Sequence, residues 1–310
     1  MSNESSNTSQ HTETPTQQKK HSLAEGSIKA SLIRMTLPMI VGMFMMFTFS
    51  LVDTFFVSLL GTAELTAISF TFPVTFTIMS LAIGLGIGAS AVVAKYIGRE
   101  DLERAKESST VINYVALLFA AVLIAACWFF MEPLFALMGA DTGLIALIHD
   151  YMSIWFPGSV FLVGLMTANS ILRAHGDSKT PSILMAGSGL INALLDPLFI
   201  FGYGPVPAMG IKGAAIATLV AWTVGYGYLF YHLAIKHRLI STRLPSRQIL
   251  ISSSREMLRI GLPAAGANMM TPLAMGTMTA IAAGFGTSVV AAFGVGARLE
   301  PIATLLILAM

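Results

Sequence analysis

The stretch Leu190-Ile191-Asn192-Ala193-Leu194-Leu195-Asp196-Pro197-Leu198-Phe199-Ile200-Phe201 places one carboxylate in a run that is otherwise almost wholly apolar. Asn192 lies four residues before Asp196, so the two side chains share one helix face. Pro197 directly after the acid removes a backbone donor and bends a helix there. In water this would be a core helix with a misplaced charge. In a bilayer an ionisable group at such a position is expensive and points to function.

The composition agrees with a bilayer. The 310 residues are 55% hydrophobic and only 11% charged, whereas about a quarter of a soluble domain is charged. Apolar segments recur at about 33–60, 65–97, 111–130, 151–172, 183–201, 211–235, 258–285 and 289–310. A hydrocarbon core of about 30 Å needs roughly 20 helical residues, which all but the fifth supply. The second is too long for one straight span, so it tilts or starts outside the hydrocarbon. The expected fold is an all-α polytopic membrane protein. The polar first 30 residues read as a disordered tail, with no cleavable leader pattern. A lone Cys127 excludes an intramolecular disulfide framework and reads as a small buried hydrophobe. The six histidines show no metal spacing, and no nucleophile–base constellation is visible. Neither an enzyme, a cofactor nor a nucleic-acid partner is therefore expected.

Lys and Arg set the orientation. Lys19, Lys20, Lys29 and Arg34 precede the first span. Lys95, Arg99, Arg104 and Lys106 follow the second, and Arg173 and Lys179 follow the fourth. Lys236, Arg238, Arg243, Arg247, Arg255 and Arg259 precede the seventh. If the spans alternate, all of these fall on one side, leaving Lys212 opposite and Arg298 within the eighth span. The N-terminus is then cytoplasmic, in the inner membrane. The 236–257 tract reads as an inter-lobe linker on the cytoplasmic face, where its basic residues could meet anionic lipid. Ile33-Arg34-Met35-Thr36-Leu37-Pro38 matches Leu258-Arg259-Ile260-Gly261-Leu262-Pro263, and Gly61-Thr62 matches Gly286-Thr287 at the same offset. Such a parallel repeat is a common transporter plan. The expected organisation is a tail over 1–30, a six-helix lobe over 31–235, a linker over 236–257, and two helices of an incomplete second lobe over 258–310. The chain reads as C-terminally truncated.

Three acids fall inside the expected spans: Asp53, Asp196 and Glu300. Asp53 is eight residues before Gly61 and Asp196 six before Gly202. At 1.5 Å per residue both lie about 9–12 Å inside the outer boundary. Two carboxylates at one depth can share a polar pocket, or each can be paired separately for structure. Asn192, Asn169, Tyr151 and Thr218 supply amide and hydroxyl groups nearby. Such oxygens suit a small cation or a proton network. Gly84, Gly86 and Gly88 read as a small-residue face for close helix packing.

The chain resembles the multidrug and toxic compound extrusion (MATE) family. The resemblance is carried by Leu37-Pro38, Val52-Asp53-Thr54, Gly61-Thr62, Arg173-Ala174-His175-Gly176-Asp177, Asn192 with Leu195 to Gly202, and Gly213 to Thr218. It implies a transporter of twelve helices in two lobes, exporting cationic or amphiphilic small molecules against a proton or sodium gradient. It implies further that Asp53, Asn192 and Asp196 form the coupling site, with Tyr151, Asn169 and Thr218 around it. If sodium is the ion, Asp53, Asn192 and Asp196 would ligate it. Pro38 would mark the bend of the first helix. NorM-type members carry a Glu in the seventh helix, and 258–285 holds no acid. That departure resembles the DinF-like branch, whose eighth helix would carry Arg298 and Glu300. These two are two residues apart and point to different faces. A monomer in the bilayer is expected.

A lipid-linked oligosaccharide flippase of the same superfamily is the alternative. Its pyrophosphate cargo calls for several buried cations, and Arg298 alone lies mid-span. A non-transport membrane protein is a more distant alternative.

The charge partition predicts labelling. Single cysteines at Thr62, Asp141 and Thr287, in a Cys127→Ser background, are expected to react with an impermeant thiol reagent from outside the cell. Cysteines at Arg104, Lys179 and Ser253 are expected to react only in inverted vesicles. One swapped position breaks the span count.

Overall fold

The computed structural model describes residues 40–41, 44–45, 48–241 and 245–308. The tail over 1–30, Pro38 and the first repeat copy at 33–38 lie outside the described residues. Helices follow one another along the chain: α1 (Thr48–Ser58), α2 (Thr62–Ile97), α3 (Leu102–Phe129), α4 (Met131–Leu137), α5 (Thr142–Ala174) and α6 (Lys179–Phe201). Then come α7 (Ile211–Tyr231), a π-helical turn over His232–Lys236, α8 (Arg247–Ala283) and α9 (Thr287–Leu308). Among the described residues the extended pairing is confined to an isolated bridge between Tyr203 and Val206.

Local chemistry sets several starts. The Asp101 carboxylate accepts from the Arg104 N–H at 3.1 Å, and Asp141 accepts from the Leu144 N–H at 2.8 Å. The Ser246 hydroxyl accepts from the Ile249 N–H at 3.3 Å. Each satisfies a donor that a helix end leaves open. The Ser246 cap starts α8 inside the 236–257 tract, so the seventh span and its polar approach are one helix. Within that approach Ser253 is buried, its hydroxyl 3.0 Å from Ser108 of α3. A cysteine at 253 would therefore be shielded, and the exposed Gln248 is the better reporter of this segment. α4 had no counterpart in the hydropathy pattern. It is short, and buries Met131 and Phe135 under α5.

α2, α3, α5, α6 and α7 with its π turn are long and apolar enough to cross a membrane. With α1 they make the six-helix lobe, and α8 and α9 begin the second. α2 is the common neighbour, touching α3, α5, α8 and α9. Its glycines make this possible. Gly84 faces Ala265 of α8, and Gly88 faces Met257 and Gly261. Gly86 lies on the opposite side, against Ser170 of α5. The expected small-residue face is thus two faces, because residues two apart on a helix point about 200° apart.

The repeat is visible in the turns. Gly61 and Gly286 both take positive φ, 153° and 114°, immediately before the first residues of α2 and α9. The Thr66 hydroxyl in α2 reaches the Thr287 carbonyl at 3.3 Å. α2 and α9 therefore start side by side at one face of the bundle, as a parallel repeat requires. At the other face Lys95 of α2 pairs with Glu256 of α8 at 2.7 Å. The Arg173–Asp177 motif forms the corner between α5 and α6. There the Asp177 carboxylate accepts from the Thr180 N–H at 2.9 Å and lies 3.3 Å from His237 Nε2. Burial pushes the Asp177 carboxyl up, but Thr180 and the charges of His237 and Lys236 outweigh it and hold the group below the usual carboxylate range.

The α2–α8 contact can be tested directly. Gly84→Leu drives a side chain into the Ala265 backbone and is expected to cost about 1–3 kcal/mol, read as a lowered melting temperature in detergent. Gly266→Ala meets open space and is expected to be neutral or slightly stabilising.

Candidate functional site

A cavity of about 190 Å³ lies among α1, α2, α5, α6, α7 and α9. Asp53 enters it from α1, Tyr151 from α5, Asn192 from α6, Thr218 from α7 and Arg298 from α9. Residues from five of the six lobe helices thus converge with one residue of the second lobe.

The polar network starts at Asp196. Its side chain is fully buried, one helical turn from Asn192. The Asn192 amide donates to Asp196 Oδ1 at 3.2 Å and to the Thr218 hydroxyl at 3.3 Å, tying α6 to α7. Gly213 helps these helices approach, since a Cβ there would meet the backbone of Phe199. After Phe201 the chain must turn sharply, and Gly202 takes φ +77° with its α-carbon close to the Ala208 backbone. Only glycine fits this combination easily. It fixes how far Asp196 stands from the helix end.

Asp53 is half-buried on α1. The charges of Asp53 and Asp196 act on one another, and both act on the buried Tyr151. Asp53 Oδ1 and Asp196 Oδ2 are each buried without a hydrogen-bond partner. Buried acceptors of this kind normally find a donor. Two open carboxylate oxygens beside an amide and a hydroxyl are hard donors that can take a proton or a small cation such as sodium.

Arg298 adds a cation from across the lobe boundary. It donates to the Thr54 hydroxyl and to the Ile68 carbonyl, the latter at 3.3 Å. Its guanidinium sits 5.3 Å from the centre of the Phe72 ring. Thr54 in turn donates to the Ser50 carbonyl at 2.8 Å, which leaves its lone pairs for Arg298.

Two residues of the sequence-based set stand apart. Asn169 is buried and donates to Met185 Sδ at 2.9 Å. Met185 lines the cavity, so Asn169 lies behind the wall. Glu300 is exposed and lines a different pocket, with Met275 and Met278 of α8. The aromatic wall is not among the residues expected from sequence. Phe49, Phe72, Phe76, Trp155 and Trp222 all line the cavity, and the two indoles meet edge-to-face at 5.3 Å. A signal was available: Trp155 follows Tyr151 by four residues and Trp222 follows Thr218 by four, so each shares its partner's face.

The MatE family model matches residues 38–198, more than half of the chain. This chain belongs to the MATE family. It is 42% identical over 295 residues to a protein of Shewanella oneidensis named FAD transporter, covering 94% of this chain and 64% of that protein. It is 31% identical over 257 residues to the probable multidrug resistance protein YpnP of Bacillus subtilis, covering 81% and 55% respectively. Among solved structures, the Vibrio cholerae MATE transporter VcmN in its bent form matches with a TM-score of 0.76 and 32% identity, over 90% of this chain and 62% of that one. The chain therefore spans somewhat more than half of these relatives. All-α, multi-pass membrane architecture follows from the family and the apolar helices together.

Asn192 is the joint of the network. Asn192→Ala removes both of its hydrogen bonds and is expected to lower stability by about 1–2 kcal/mol, measured by thermal unfolding in detergent. Asn192→Asp adds a third carboxylate to the cavity and is expected to be more damaging than the alanine.

Proposed function

We propose that this chain is the ion-coupling part of an antiporter that exports amphiphilic or cationic small molecules through the inner membrane, with its N-terminus in the cytoplasm. The observation that supports this reading is the pair of partnerless buried oxygens on Asp53, which lines an aromatic cavity, and on Asp196, which is held by the cavity residue Asn192. An aromatic wall receives the apolar body of a substrate, and a cation gains from ring faces as well as from a carboxylate. A proton on the same carboxylates removes that attraction. Substrate and proton then exclude one another, and a ligand shifts an equilibrium only by such differential binding. Sodium held by Asp53, Asn192 and Asp196 would act in the same sense.

A second reading of the substrate rests on Arg298 over Phe72 and on the name of the Shewanella relative, FAD transporter. An aromatic anion such as a flavin dinucleotide would stack on the wall and place a phosphate at the guanidinium. Its pH dependence has the opposite sign. Protonating Asp53 removes a competing anion, so the dinucleotide would bind more tightly as pH falls, whereas an aromatic cation would bind less tightly.

Proteoliposomes separate these readings. Efflux of a lipophilic aromatic cation is expected to follow an imposed proton or sodium gradient, and Asp53→Asn and Asp196→Asn are each expected to abolish the gradient-driven component while leaving expression and melting temperature near normal. If Asp196→Asn still tracked the gradient at the ordinary rate, Asp196 would be structural and the coupling reading would fail. Tighter flavin dinucleotide binding at acidic pH would favour the second substrate.

A further inference from the structure

The cavity holds about 190 Å³ as it stands, whereas pockets for drug-sized ligands run to about 300–1,000 Å³. A bulky ligand therefore needs a wall that gives way. Four of the five Phe and Trp rings on the wall are held by other rings. Phe72 and Phe76 stack at 5.7 Å, with 12° between their planes. Trp155 and Trp222 meet edge-to-face, and Trp155 also meets Phe156 at 6.3 Å. Tyr151 is held by burial. Phe49 of α1 is half-buried and has no ring partner among the described residues. Its ring lies on the bare backbone of Gly189 in α6, where a Cβ would run into it. Glycine inside a helix costs stability relative to alanine, and a ring seated in the notch is a packing reason for one. Beside this ring Ser50 is exposed, whereas the other residues lining the cavity are buried or half-buried. The wall is thus open to the outside next to Phe49. Phe49 also stands one turn before Asp53 on the same face of α1, and Gly189 stands three residues before Asn192 on α6.

We propose that Phe49 is a gate ring on this cavity, that Gly189 is its seat, and that the pair sets the largest ligand the cavity admits. With the ring seated, it bridges α1 and α6 and the cavity keeps its small volume. Rotation of the Phe49 side chain between staggered rotamers lifts the ring off Gly189 and adds its space to the cavity without moving a helix. A small cation fits with the ring in place and leaves the seat contact intact. A cation with several rings of its own must displace Phe49 and loses that contact. The pair therefore discriminates by size, while Asp53 answers to charge. This inference rests on the reading of the cavity as the substrate site, and it adds the residues that select among substrates.

The test measures equilibrium binding of two radiolabelled cations, tetraphenylphosphonium and the smaller tetraethylammonium, to the protein in nanodiscs. Phe49→Ala is expected to improve the affinity for tetraphenylphosphonium relative to tetraethylammonium about tenfold. Phe49→Leu is expected to fall between that variant and the wild type. Gly189→Ala puts a methyl group into the seat, pushes the ring inward and is expected to move the ratio the other way. Combined with Phe49→Ala, the effect of Gly189→Ala is expected to vanish, because no ring is left to push. The gate is overturned if Phe49→Ala leaves the ratio unchanged or moves it toward the smaller cation. It is overturned as well if Gly189→Ala shifts the ratio as much without the ring as with it. Asp53→Asn is measured alongside and is expected to weaken both cations alike. Weakening by Asp53→Asn with no size effect at Phe49 sinks the gate and leaves the substrate reading standing. A size effect at Phe49 with no response to Asp53→Asn keeps the gate and removes the acid from substrate binding. Binding of neither cation by the wild type overturns both.

Discussion

A carboxylate taken out of water into a bundle of apolar helices costs several kcal/mol unless charge, hydrogen bonds or a proton offset it. Much of this structure can be read as a response to that cost at Asp53 and Asp196. The Asn192 amide takes one Asp196 oxygen and anchors itself on Thr218. Arg298 brings a positive charge from another lobe. Even so, one oxygen of each acid is left without a donor. Two incompletely satisfied buried acids, one of them lining a cavity, are a poor way to stabilise a fold and leave acceptors open.

The helices can converge on these acids because small residues remove the obstacles. α2 carries glycines on opposite sides, one pair toward α8 and a third toward α5. Without water to drive association, helix contacts in a membrane rest on close van der Waals packing and a few hydrogen bonds. Backbone approach at Gly84, Gly88 and Gly261 is therefore a structural condition for bringing α8 and α9 beside α2. That placement, in turn, is what allows Arg298 to reach Thr54.

The aromatic wall and the acids answer to different physics within one cavity. Trp155 and Trp222 hold α5 and α7 together through ring contact and present apolar faces inward. Asp53 and Arg298 supply charge to the same cavity.

The amino-acid sequence alone determined that this is a helical, multi-pass membrane protein, because long apolar runs with buried backbone polar groups have few other solutions. It determined which residues share a helix face, since the 3.6-residue period places Asn192 with Asp196 and separates Arg298 from Glu300. The Gly-Thr repeat also identified two equivalent turns, and both appear ahead of α2 and α9. What the period does not contain is which helices meet. Only the tertiary structure decided that Arg298 stands at Thr54, 244 residues away, that Asn169 lies behind Met185, and that Glu300 looks into another pocket. It also decided that Ser253, in a polar run, is buried against Ser108. Periodicity is a property of one helix, whereas a cavity is made by the crossing of several, and those crossings depend on glycine contacts whose partners lie far apart in the chain.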